Sequence, residues 1–78
     1  MHGETRRGTR EFVGARIRTI RERCGMGVGK LSELSDIPEF MISTIEGGRM
    51  RITFENLLCL ARGLGVSVVE FFSDDEGD

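Results

Sequence analysis

The side chains able to do chemistry in this chain are few, and most are of one type. Of its eleven basic residues, ten are arginine and one is Lys30. A guanidinium offers a rigid fork of donors that meets phosphate or carboxylate at two points at once. Recognition of an anion is therefore the chemistry this composition favours. Covalent chemistry is poorly provided for. The sole histidine, His2, stands at the start of the chain, so no serine or cysteine has a usable imidazole base. Cys24 and Cys59 lie 35 residues apart in no CxxC pattern, whereas a structural zinc site takes about four nitrogen or sulfur ligands. Two free thiols in a reducing compartment are the simpler reading. Gly25-Met-Gly-Val-Gly-Lys30 has neither the spacing nor the preceding strand of a phosphate-cradling loop. The sequence thus predicts no enzyme, no metal and no cofactor.

Charge is distributed unevenly. Eleven basic residues against thirteen acidic ones give a formal net charge of −2. Residues 1–24 hold seven arginines against three glutamates, a balance of +4, while Ser73 to Asp78 hold four acids and no base. The basic front hints at a polyanion partner, and the acidic total argues the other way. Seventy-eight residues make one small domain with a thin core, which suits work done at a surface and leaves no evident room for a small-molecule ligand. The longest uninterrupted apolar run is Leu57 to Ala61, far short of the roughly 20 residues that cross a bilayer. No apolar stretch follows the N-terminus, so no membrane is expected and the default compartment is the cytoplasm.

The elements that must position the arginines read as helices. Residues 1–8 are polar and aperiodic, a disordered basic arm. Thr9 can cap a first helix over roughly residues 10–24, where Val13, Ile17, Ile20 and Cys24 form an apolar stripe that Gly25 ends. Val28, Leu31 and Leu34 suggest a short second helix over residues 28–35. Ser35-Asp36 makes a tight turn, and Pro38 fits the first turn of a third helix with Met41, Ile42 and Ile45 inward, ending at Gly47-Gly48. After the loop 49–52, Thr53 caps a fourth helix over residues 54–63 with Phe54, Leu57, Leu60, Ala61 and Leu64 on one face, and Gly65 breaks it. Ser67-Val-Val-Glu70 is the pattern of a capping box and opens a fifth short helix to Phe72. Residues 74–78 read as a disordered acidic tail. The fold class is all-α with five short helices, the domain spanning residues 9–73.

Helix, sharp turn and helix within residues 28–46 form either a DNA-reading unit or an αα-hairpin of any small bundle. Val13-Gly-Ala-Arg-Ile-Arg-Thr-Ile-Arg-Glu-Arg, Leu31-Ser-Glu-Leu-Ser-Asp-Ile, Ile42-Ser-Thr-Ile-Glu-Gly-Gly-Arg and Leu57-Leu-Cys-Leu-Ala-Arg-Gly-Leu-Gly-Val-Ser, followed by Glu70-Phe-Phe, occur in order. Together they resemble the lambda-repressor-like, Cro-type helix-turn-helix family, over about Phe12 to Phe72. The ending looks most like the small controller proteins of restriction–modification systems.

The resemblance implies a partner, double-stranded DNA, and roles for particular residues. The third helix enters the major groove N-terminal end first, so Glu39, Phe40, Ser43 and Thr44 face the bases. Ser43 and Thr44 can donate or accept at base edges, Glu39 can accept from a cytosine amine, and Phe40 can press on a thymine methyl. Alternatively, Phe40 packs on the neighbouring helix and Glu39 only favours the positive helix end. Arg49 and Arg51 match the family's backbone-gripping loop, and Lys30 is placed to reach a phosphate. Arg10, with Arg6 and Arg7, belongs to a basic arm that either touches DNA or stays idle. Arg21 and Glu46 match the family's ion pair between the first helix and the end of the third. The chain departs from the family pattern at Val28, in place of a phosphate-contacting glutamine, and at Gly27, Ser32 and Asp36, in place of a capping hydroxyl, an alanine and a glycine. Residues 25–56 carry three bases and five acids, a balance of −2 that suits a DNA-facing surface poorly.

Members of the family bind two half-sites as two-fold dimers. Leu58, Cys59, Val66, Val68, Val69 and Phe72 exceed what a short closing helix needs, and a symmetric homodimer patch is the simplest use for the surplus. The alternative is that they fill the thin core. The expected function is a sequence-specific transcriptional regulator binding a palindromic operator as a homodimer. The runner-up is a protein-interaction module of the same fold, such as an antitoxin.

Overall fold

The computed structural model describes residues 8–73; apart from Gly8, the expected arm over residues 1–8 and the tail over residues 74–78 lie outside the described residues. The elements are four α-helices, α1 (Arg10–Arg23), α2 (Val28–Ser35), α3 (Glu39–Glu46) and α4 (Phe54–Leu64), and a closing 3-10 helix (Val68–Phe72). Each boundary has a local cause. Thr9 accepts from the Phe12 N–H (3.1 Å) and Thr53 from the Asn56 N–H (3.0 Å), so both expected caps form. Glu11 in the first turn of α1 and Arg21 and Arg23 in its last turn match the helix dipole. Gly65 ends α4 at φ 72, in the left-handed region where a side chain is strained.

The turn between α2 and α3 is built from serines. Asp36 takes φ 64, and its N–H donates to the Ser32 carbonyl at 2.9 Å. The Ser32 hydroxyl donates to the Ile37 carbonyl at 2.6 Å, and the Ile37 N–H donates to the Ser35 hydroxyl at 3.3 Å. Two of the departures from the family pattern, Ser32 and Asp36, thus meet at one turn, where the hydroxyl satisfies a carbonyl that the chain reversal leaves unpaired. Pro38 sits one place earlier than expected, as the residue before α3 rather than inside its first turn, and its carbonyl accepts from the Ile42 N–H at 3.0 Å.

The fifth helix differs from the expectation in kind. The Ser67 hydroxyl accepts from the Val69 N–H (3.2 Å), and the Glu70 N–H donates instead to the Ser67 carbonyl (3.0 Å). The capping box is therefore not closed, and the segment winds as a 3-10 helix. Two adjacent β-branched valines disfavour an α-turn, and Arg16 draws Glu70 away. The Arg16 Nε donates to the Glu70 carbonyl at 2.9 Å, and its guanidinium lies 3.7 Å from the Glu70 carboxylate.

α1 packs on α3 and on the 3-10 helix, and α2 on α3 and α4. Their shared core holds Val13, Ile17, Ile20, Leu31, Ile37, Ile42, Ile45, Leu57, Leu60, Ala61 and Leu64, with Phe71 the largest fully buried side chain. Three residues of the expected inward stripes fall outside it. Cys24 caps α1 and is exposed, Leu34 is half exposed, and Phe54 is 68% exposed. Phe54 opens α4 one turn before Leu57, beyond the edge of the core, so the inward stripe begins at Leu57. Gly14 sits where α1 crosses the end of α3. A Cβ there would collide with the Ile45 carbonyl oxygen and lie 3.1 Å from that of Glu46.

Candidate nucleic-acid interface

α3 is fixed at both ends, and its outer face is left free. At its N-terminal end the serine turn sets its direction. At its C-terminal end Arg21 reaches across from α1 to Glu46, with Nε donating to Oε2 at 2.7 Å and Nη2 to Oε1 at 2.9 Å. The third nitrogen, Nη1, donates to the Met26 carbonyl at 2.9 Å. The two side chains are only 11% and 7% exposed. The hydrogen bond to Glu46 raises the Arg21 guanidinium above its ordinary pKa against the opposing effect of burial, with the Glu46 and Glu22 charges adding to the rise. A paired fork of this kind fixes orientation. The expected pair is present, and it ties α1, the α1–α2 loop and α3 into one unit.

The four residues expected to face bases lie on α3 with different freedoms. Phe40 is 71% exposed, so it does not pack on the neighbouring helix. Ser43 is exposed. The Thr44 hydroxyl donates to the Phe40 carbonyl at 2.8 Å, which leaves it as an acceptor only. Glu39 is exposed, but its carboxylate leans back on the first turn of α2, with Oε2 3.3 Å from where a Cβ on Gly29 would lie. That turn has no side-chain cap, since Gly27 supplies none, and a carboxylate there complements the helix end.

The expected phosphate contacts lie around this face. Arg49 and Arg51 are exposed in the loop after α3, and the Arg49 guanidinium lies over Gly47. Lys30 pairs with Glu33 at 3.4 Å and Arg10 with Glu11 at 3.7 Å, both at the surface. Arg6 and Arg7 lie outside the described residues. Beside this face the surface carries an open cleft of about 380 Å³ lined by Arg18, Arg21, Val28, Ser43, Glu46, Gly47 and Arg49.

The residues expected at a dimer interface divide in two. Leu58 (43%) and Val69 (70%) are exposed. Cys59, Val66, Val68 and Phe72 are half-buried against the chain's own core. α4 and the 3-10 helix, which carry all six but Val66 of the connecting loop, are neighbours. Two positions that shape the site went unread in the sequence. Gly14 sets how closely α1 and α3 approach, and Arg16 clamps the 3-10 helix to α1. Arg16 had a signal, because Val13, Arg16, Ile17 and Ile20 repeat the i, i+3, i+4, i+7 pattern of a buried face. A charge inside that pattern calls for a buried partner.

Comparison with known proteins agrees with this geometry. Residues 13–71 match the family model described as a helix-turn-helix domain. The HTH-type transcriptional regulator PuuR of Escherichia coli K12 is 35% identical over 63 residues, covering 81% of this chain and 34% of PuuR. The chain thus spans about a third of that relative's length. Among solved structures, the restriction-modification controller protein C.AhdI from Aeromonas hydrophila superposes with a TM-score of 0.77 at 26% identity, over 80% of this chain and 94% of that one. The clp gene regulator ClgR from Corynebacterium glutamicum has the same TM-score at 32% identity, covering 80% of each chain. These relatives are regulators rather than enzymes. With α2, its serine turn and α3 as the central unit, this chain belongs to the helix-turn-helix family, in its Cro-type, lambda-repressor-like form.

Proposed function

We propose that the chain is a sequence-specific DNA-binding transcriptional regulator that grips a palindromic operator as a homodimer, in the manner of the restriction–modification controller proteins it resembles. The observation that carries this reading is the outer face of α3. Its helix is locked by Arg21–Glu46 and the serine turn, yet Phe40 stands 71% exposed beside Glu39 and Ser43. A large aromatic side chain on a rigid helix, left in water by its own fold, fits contact with a thymine methyl. In this reading Glu39, Phe40, Ser43 and Thr44 address bases, and Arg49, Arg51, Lys30 and Arg10 address phosphates. Leu58 and Val69 form the centre of the dimer contact, with Cys59, Val66, Val68 and Phe72 at its margin. No helix among the described residues is long and apolar enough to cross a membrane, which accords with work on DNA in the cytoplasm.

A second reading, a protein-interaction module such as an antitoxin, is favoured by the acidic Glu39 and by the −2 balance of residues 25–56. Titration of a duplex pool at increasing salt separates the two. A regulator making 6–10 phosphate contacts loses roughly 10³- to 10⁵-fold in affinity between about 50 and 200 mM salt. A stable hetero-complex recovered from cells, with no duplex affinity at any salt, would support the second reading.

A further inference from the structure

We infer that the cleft beside the C-terminal end of α3 is a seat for one DNA backbone phosphate, held between Arg18 and Arg49. This rests on the DNA-binding reading above and adds to it a residue, Arg18, and a defined site. Arg18 and Arg21 project from the same face of α1, Ser43 from α3 and Arg49 from the loop after α3, and all of them line the one cleft. Among the described residues its only lining carboxylate, Glu46, has both oxygens engaged by Arg21. The lining therefore offers an anion two guanidiniums and a hydroxyl, with the acidic group already neutralised. Arg18 is held elsewhere only by a surface pair. Its pair with Glu22, at 3.1 Å, joins side chains that are 62% and 57% exposed, and such pairs are weak and readily exchanged for a better acceptor. A phosphate oxygen pair suits a guanidinium fork better than a mobile surface carboxylate does.

The cleft also explains how the chain grips a backbone despite its acidic balance over residues 25–56. Val28, at the start of α2, lines the same cleft and brings no polar group to it. The charge is delivered from α1 and from the loop, outside α2. Ser43 stands at the border between the base-reading face and this seat.

The test uses the whole chain and its Arg18→Gln, Arg49→Gln and doubly substituted forms, with duplex affinity measured at several salt concentrations. The logarithm of affinity changes with the logarithm of salt by about 0.9 for each phosphate neutralised. The double variant is expected to lose about one such step in slope. The two single losses should not add, because both side chains serve one phosphate. The ranking of duplex sequences should stay as in the parent. A parent that binds duplex with a steep slope, and an Arg18→Gln form with the same slope and affinity, would overturn this site alone. A parent with no duplex affinity would overturn the DNA-binding reading and the seat together. Saturable binding of inorganic phosphate at the Arg18 and Arg49 Nε–H groups, followed by NMR, with no change in duplex slope in the variants, would assign the cleft to a small phosphate ligand and overturn the backbone assignment.

Discussion

Arg21, Glu46 and Phe40 divide the work of α3 between holding and reading. Arg21 and Glu46 are buried and spend every guanidinium face on protein acceptors. Replacing Glu46 with alanine strands the Arg21 charge, and breaking a buried pair from one side costs about 3–5 kcal/mol. Glu46→Ala is therefore expected to lower the urea midpoint and the duplex affinity together. Lost affinity with an unchanged midpoint would show that Glu46 touches DNA rather than sets the helix. Phe40 should behave in the opposite way. It is 71% exposed, and substitutions at such positions change stability by no more than about 0.5 kcal/mol. Phe40→Ala should leave the midpoint in place and weaken binding to sites with thymine opposite that position, as measured on a panel of duplexes. A large fall in stability would place Phe40 in the packing of the fold instead.

At the scale of elements, the helix ends were readable because each has a chemical mark. Thr9 and Thr53 cap as their positions imply, and Gly25, Gly48 and Gly65 all take positive φ where helices end. The inward stripes were readable wherever a helix lies fully over the core. They failed at Cys24 and Phe54, which continue the periodicity past the point where the core stops, and at Leu34, which stays half exposed. The 3-10 helix was not readable from Ser67 and Glu70, because a residue far away in sequence, Arg16, takes the acceptors of Glu70. In the site, Arg21–Glu46 came from resemblance and the exposure of Phe40 from structure alone. The cleft needed α1, α2, α3 and the loop after α3 to converge, which no local pattern encodes. Gly14 tests the packing of α1 on α3. Alanine is a better helix former than glycine by about 1 kcal/mol, yet here its methyl would strike the Ile45 carbonyl. Overpacking of this kind costs about 1–3 kcal/mol, so Gly14→Ala is expected to destabilise the chain in urea and to displace the end of α3. A stabilised Gly14→Ala variant would mean that the two helices can part without loss.

For the whole molecule, the proposed function requires two copies to present two α3 helices to one duplex. Leu58 and Val69 are the exposed side chains among the six residues assigned to the dimer contact. Doubly substituting them, as Leu58→Glu with Val69→Glu, should yield a folded monomer by sedimentation equilibrium and helical circular dichroism. Persistence of the dimer would move the interface elsewhere. The most direct measurement is selection from a randomised duplex pool at moderate salt, with sequencing of the bound fraction. An enriched palindrome is expected, with half-sites about one helical turn, roughly 34 Å, apart and base preferences that change in Glu39 and Thr44 variants. A folded, dimeric protein that enriches no sequence would contradict the proposed function and leave α3 as a surface for another protein.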